Sequence, residues 1–426
     1  MSQTLFRSFR VLLTGTTAAQ LLPVVTAPVI ARHYETAEFG VFGIYIAASA
    51  ISSTVANLKY EIVILATRSE SLTQAVLGLS LVVNLLIGTL IAAGVAGAAL
   101  TGLVAGSPVI GDLVVFLPLS LLLAGGMQAL SNVALQRELF SAVARSRITA
   151  ASVTAAASLA CALFHPTARA LIVATLAGQL LGAALLAWLC LNAGAPRPSW
   201  RPRRWRAVAR RHWRFAIFTS PADLLNASAS NLPALFLGAL FGTTATGAYV
   251  LTQRLLGTPL MLIGSAFADL YRQRIGQRAA MGRPYWDASV RMLAVLSAVG
   301  LFALASVLLI GREAAVAFLG DDWQLVGDFA VILIWVYVAR FIVSPLTFAF
   351  YIAKRHVEDL ALQTLSASTV AAIYVVARHS QLTLTEFLTT LSIALTTMYL
   401  TYGIRSMQFS RQSLLHVPIL TGKVTQ

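Results

Sequence analysis

Two arginines stand where arginine is costly. Arg254 and Arg340 each lie deep inside a long apolar run, with turns of apolar residues on both sides. Neither can easily snorkel to a surface, and a charge at the centre of a membrane helix costs roughly 2.5–3.5 kcal/mol on insertion scales. A group that expensive is read first as functional. The guanidinium presents a planar fork of donors that matches phosphate oxygens, so the chemistry expected of Arg254 and Arg340 is the holding of an anionic group in a wet cavity. The competing reading is structural, a pairing with Asp223, Asp269 or a backbone carbonyl.

Other polar residues gather in the same kind of setting. Lys59-Tyr60-Glu61 is followed by apolar residues from Ile62 to Ala66, which keeps the charges out of open solvent. Lys59 is placed to meet a phosphate at an inner mouth, or else to lie at the interface beside an acidic partner. The run SPADLLNASASNLP carries Asp223, Asn226 and Asn231 and is too polar for a lipid-facing helix, so it must face a bundle interior. Asp223 is read evenly as a site for a coupling proton or cation and as a counter-ion. Gln20, Gln128, Asn132 and Gln136 mark the same inward faces or tie helices together.

Composition says what must position these groups. Of 426 residues, 58% are hydrophobic and only 11% are Asp, Glu, Lys or Arg, against about 25% in a soluble domain. That excludes a soluble enzyme, a disordered chain and a secreted disulfide scaffold. The two cysteines, Cys161 and Cys190, lie in apolar runs and read as small core residues. No P-loop, nucleophile elbow or metal-ligand spacing is present, so no enzymatic activity, cofactor or metal is expected. The fold class expected is an all-α polytopic membrane protein.

Twelve spans are expected, near 9–31, 40–58, 74–104, 112–135, 146–164, 168–192, 215–240, 245–270, 288–310, 324–350, 358–377 and 381–404. Each is long enough to cross about 30 Å of hydrocarbon, some only when tilted. Placing both termini in the cytoplasm puts Lys59, Arg68, Arg137, Arg145, Arg147, Lys354, Lys423 and most other cations inside. Only Arg32, Arg169, Arg312 and Arg378 then fall outside, which is the positive-inside pattern. That pattern also accounts for the net charge of +15 without nucleic acid. The first run is read as a retained signal-anchor helix.

Residues 193–214, AGAPRPSWRPRRWRAVARRHWR, fall at the midpoint and hold eight arginines and three tryptophans. They read as a basic cytoplasmic linker whose Trp and Arg lie at the headgroup level. A sharper reading makes them a docking site for acidic lipid or for a synthesis complex. Residues 1–192 would form an N-terminal six-helix lobe and 215–426 a C-terminal one. The halves follow a common order: arginine, apolar helix with a late proline, short loop, then Gly40-Val41-Phe42 or Gly247-Ala248-Tyr249. Such a duplication gives parallel repeats related by an axis along the membrane normal.

The order of motifs resembles the oligosaccharide flippases, the Wzx-type branch of the MOP superfamily. The resemblance rests on Gln20, Pro23, Pro28, Arg32-His33-Tyr34, Phe39-Gly40 and Lys59-Tyr60-Glu61 before an apolar run. It continues through Arg137, Phe140, Pro221 to Asn226, Leu232-Pro233, Gln253-Arg254, Pro259 and Ile263-Gly264. His33 stands where the family has Leu, and Lys59 where it has Arg. The resemblance implies a MATE-like fold in the bacterial inner membrane and movement of an undecaprenyl-diphosphate-linked oligosaccharide to the periplasmic leaflet. A polysaccharide polymerase and glycosyltransferases would be its partners beside membrane lipids. The alternative is an ion-coupled drug antiporter of the MATE-like branch, which would favour acids in its cavity.

Overall fold

The computed structural model describes residues 3–67, 69–100, 108–353 and 355–414. Arg68, Lys354 and Lys423, counted above with the cytoplasmic cations, lie outside these. Among the described residues the regular structure is entirely helical. In chain order the helices are α1 (Gln3–Ala31), α2 (Thr36–Ser53), α3 (Ile62–Ala66), α4 (Glu70–Leu100), α5 (Pro108–Gln136), α6 (Phe140–Phe164), α7 (Ala168–Asn192) and α8 (Pro202–Arg214). They continue with α9 (Ser220–Thr252), α10 (Thr258–Ala280), α11 (Trp286–Leu319), α12 (Gln324–Val343), α13 (Phe348–Ile352), α14 (His356–Ser380) and α15 (Leu384–Gln412).

Among the described residues, eleven continuous stretches are long and apolar enough to cross a membrane. The difference from twelve has a local cause. The seventh and eighth expected spans lie in one stretch, Pro202–Ala279, that also takes in α8. Within it α9 is interrupted at Gly242, whose φ of +83° and ψ of −177° no helix contains. Only glycine adopts that backbone without a steric penalty, so the chain turns there between two apolar segments. Two further boundaries differ from expectation. The second span ends at Ser53, and residues 54–61 form an irregular turn rather than helix. The basic linker is largely helical, because its prolines precede the helix or sit at its first position, where proline is tolerated.

The chain divides into two compact units, Met1–Leu251 and Thr252–Gln426. In the first, α6 packs on α1 and α7, and α5 packs on α4, α2 and α7. Small residues let these helices approach. Gly182 of α7 lies against Ala150, and its carbonyl accepts from the Ser146 hydroxyl at 2.7 Å. With Gly178 it makes a Gly-x-x-x-Gly face, the spacing that brings membrane helices close. Between α2 and the end of α9 the contact is reciprocal. A methyl on Gly40 would overlap the Thr243 carbonyl, and one on Gly247 would overlap the Thr36 carbonyl. Gly247 follows Gly40 by the same interval, 207 residues, at which Thr243 follows Thr36.

In the second unit α12 is the centre, packed on α11, α15 and α10. Gly300 of α11 accommodates Val338 and Ile342, and Ser392 of α15 donates to the Ile332 carbonyl at 2.6 Å. Tyr271, Ser289 and Ser410 form a buried hydroxyl chain linking α10, α11 and α15. A capping box of Thr383 and Glu386 starts α15.

Candidate substrate-binding site

Arg254 lies in a π-helical turn, Gln253–Gly257, that joins α9 to α10. Such turns carry an extra residue in the ring and are frequent at functional positions. This turn lies beside α12. A methyl on Gly257 would stand 3.0 Å from the Tyr337 ring, and one on Gly264 would stand 3.3 Å from the Phe341 ring. The two contacts ascend together in number, so the helices run parallel. Arg254 precedes Gly257 by three residues and Arg340 follows Tyr337 by three, placing the two at opposite ends of this contact.

Both arginines are half-buried. Among the described residues neither meets a carboxylate. The acids weighed as their partners are used elsewhere: Asp223 lies 2.9 Å from the Lys59 ammonium, and Asp269 pairs with Arg272 at 3.2 Å. Two arginines along one helix seam, with no carboxylate beside them among the described residues, are cations without a protein counter-ion.

The first unit treats its charges differently. Leu58 and Lys59 both adopt left-handed backbone, with φ of +47° and +62°. Each costs about 1–2 kcal/mol for a residue with a Cβ, so the surroundings must fix the turn. They do so through α5. Asn57, 1% exposed, donates to the Gly125 carbonyl at 2.9 Å. Asn132 donates to the Glu61 carbonyl at 3.1 Å, and Gln136 to the Thr67 carbonyl at 2.7 Å. Backbone that leaves a helix at a membrane boundary frees its carbonyls, and amides from one face of α5 satisfy them.

Here Lys59 is held against Asp223 with 12% of its side chain exposed. Glu61 is 1% exposed, and its Oε2 has no hydrogen-bond partner. Burial pushes the Glu61 carboxyl above the usual carboxylate range. Its own backbone amide and the Lys59 ammonium pull it down, while Asp223 adds to the rise. Lys59 and Asp223 therefore form the ion pair of this turn, and Glu61 holds a proton more readily than an exposed carboxyl does.

The remaining expected residues are scattered. Asn226 and Gln20 are exposed, Gln128 is half-buried, and Asn231 bonds back to the Ala227 carbonyl of its own helix at 2.8 Å. Asn132 and Gln136 act as the ties that their amides promised. The sequence reading kept Glu61 out of open solvent but passed over Asn57 and the break at Gly242. Asn57 sits in plain sight as a polar residue just before Leu58-Lys59, and Gly242 as a glycine beside two threonines.

The architecture is a multi-span helical bundle with the fold seen in MOP superfamily structures. The lipid II flippase MurJ, in an inward closed conformation, superposes with a TM-score of 0.71 at 9% identity, covering 97% of this chain and 93% of that one. A multidrug resistance MATE family transporter in its inward-facing conformation gives 0.58 at 14% identity, covering 95% of each chain. A MOP superfamily transporter from Pyrococcus furiosus gives 0.52 at 12%, covering 96% of each. At these identities the likeness shows the fold alone. By sequence, no curated protein matches. The chain belongs to the polysaccharide biosynthesis protein family, whose pattern it matches over residues 29–327.

Proposed function

We propose that the chain is a flippase that carries an undecaprenyl-diphosphate-linked oligosaccharide from the cytoplasmic to the periplasmic leaflet of the inner membrane. The product would feed a surface polysaccharide such as O-antigen, capsule or exopolysaccharide. The observation that carries this reading is the pair Arg254 and Arg340, half-buried along one seam without a protein anion, in a chain of the polysaccharide biosynthesis family. The planar donor forks of two arginines match the oxygens of a diphosphate. The lipid tail stays in the bilayer and the sugar occupies the polar cavity. The transporter performs no covalent chemistry.

Two six-helix lobes, 1–192 and 215–426 joined by the basic linker, would rock to alternate access. The reciprocal packing of Gly40 and Gly247, at matching places in the two halves, supports that duplicated plan. Both termini lie in the cytoplasm in this reading, on the strength of the arginine and lysine distribution. Lys59 and Asp223 serve as a structural pair near the inner mouth, and Asn226, Asn231, Gln20 and Gln128 line polar helix faces. A polymerase and glycosyltransferases act before and after it.

A MATE-like drug antiporter shares the fold, but its cationic substrates call for free acids where this chain holds free arginines. For the Pyrococcus furiosus relative, a binding pocket of reversed polarity suggests a different function, so pocket charge is the variable to read. The test is a clean deletion strain complemented by the wild type or by Arg254→Ala. Lipid-linked oligosaccharide should accumulate on the cytoplasmic face in the deletion and in the variant, at matched protein abundance. Normal outward exposure in the deletion, with no redundant flippase, would exclude the function.

A further inference from the structure

We infer that α8 is a docking surface for the headgroups of anionic phospholipids. Arg201, Arg203, Arg204, Arg206, Arg210, Arg211 and Arg214 are all exposed, and residues 193–214 contain no acid. None of these arginines makes an ion pair among the described residues. Arg206 and Arg210 are one helical turn apart and so stack along one side of the helix, where like charges oppose helix formation; Arg214 follows across the non-helical backbone at His212. An external layer of negative charge removes that opposition.

The opposite face shows that the row is presented by a fixed element. Val208 is 4% exposed and packs, with Trp205 and Ala209, on Ala75, Val76, Leu77 and Leu79 of α4. The Trp205 indole donates to the Ser199 carbonyl at 2.7 Å, and the Ser199 amide donates to the Gln74 carbonyl at 2.9 Å. Gly78 makes room for this join, since any side chain there would overlap the Ser199 carbonyl.

The flanks select a bilayer over a soluble partner. Trp200 before the helix is 61% exposed, and Trp213, Ile217 and Phe218 at its end are 44%, 56% and 63% exposed. Trp213 and Phe218 lie with ring centroids 6.0 Å apart, where α8 passes into an apolar span. Tryptophan beside arginine at the start of a span is the pattern of the membrane–water interface. The arginine row therefore stands at the height of lipid phosphates, the occupant that supplies both the negative charge and the apolar contact. This inference needs only that α8 lies at a bilayer surface. It is independent of the substrate moved.

The test uses the full chain reconstituted in vesicles of phosphatidylcholine alone or with ~30% phosphatidylglycerol, whose negative surface attracts arginine. The reaction of the linker arginines with phenylglyoxal is followed by peptide mass spectrometry. Arg206, Arg210 and Arg214 should react several-fold more slowly in the anionic vesicles, and raised salt should abolish the difference. In a variant with Arg206→Gln, Arg210→Gln and Arg214→Gln, the neighbouring Arg203 and Arg211 should lose their protection as well. Equal reaction in the two vesicles would overturn the inference. So would equal protection by millimolar inorganic phosphate in neutral vesicles, or protection found only in native membranes, which would point to a protein partner.

Discussion

Lys59 meets Asp223 at 2.9 Å, in a turn whose carbonyls are closed by amides of α5, whereas Arg254 and Arg340 meet no acid along the α10–α12 seam. Both regions carry charge into an apolar chain. In the first, each charge has a counterpart and the backbone is strained to bring them together. In the second, the backbone is relaxed to a wider turn and the charges are left open. Paired charges hold a shape, and in the proposed flippase the open ones would meet the substrate. Removing a charge should then cost stability in the first region and transport in the second.

The largest effect is expected from Arg254→Ala combined with Arg340→Ala. Hydrogen bonds to charged groups contribute about 1.5–3 kcal/mol each, so export should fall by roughly a hundredfold or more. The thermal unfolding midpoint in detergent should stay level or rise, because an unpaired buried charge has been removed. A lost midpoint with intact export at equal abundance would invert the comparison.

Asp223→Ala should act the other way. It strands the mostly buried Lys59 ammonium, and with Asp223 itself 44% exposed the expected cost is about 1–3 kcal/mol of stability. Adding Lys59→Met should restore most of that loss, which a double-mutant cycle on unfolding midpoints would read. Next in size is Asn132→Leu, which leaves the Glu61 carbonyl with the Ile64 amide as its one remaining donor, at about 0.5–1.5 kcal/mol. Its sign is checked by faster proteolysis at residues 54–67.

The smallest effect sharpens the role of Glu61. Its folded carboxyl binds a proton more tightly than an exposed one, so folding takes up a proton there. Stability from this group is present at low pH and is lost as pH rises through the raised value. Glu61→Gln should flatten that slope between acidic and neutral pH, as measured by unfolding midpoints across pH.

Most helices were legible from apolar run length, since a membrane span leaves few options for the backbone. What escaped was set by packing. The second span stops at Ser53 because Asn132 and Gln136, far along the chain, offer partners for freed carbonyls. The Gly242 break hides inside a run apolar enough to read as two neighbours or one. Arg254 and Arg340 were legible because arginine is rare in such runs. That they share a seam was not, because it depends on Gly257 meeting Tyr337. Lys59 drew attention for its charge, but its partner lies 164 residues away at Asp223, beyond any local pattern.

The amide ties of α5 also set an order of assembly. The bonds Asn57–Gly125, Glu61–Asn132 and Thr67–Gln136 span 68, 71 and 69 residues. At about 5–20 residues per second, α5 emerges roughly 4–14 s after the turn it must close. During that interval the Glu61 and Thr67 carbonyls lack their α5 donors and the Asn57 amide lacks its acceptor, so water takes those places and the turn is held at the surface. A nascent chain arrested before residue 125 should leave a cysteine placed at Leu58 open to a water-soluble thiol reagent, and a longer chain should shield it. Insertion of the first helices is thus provisional, and α5 is the latch that makes it final.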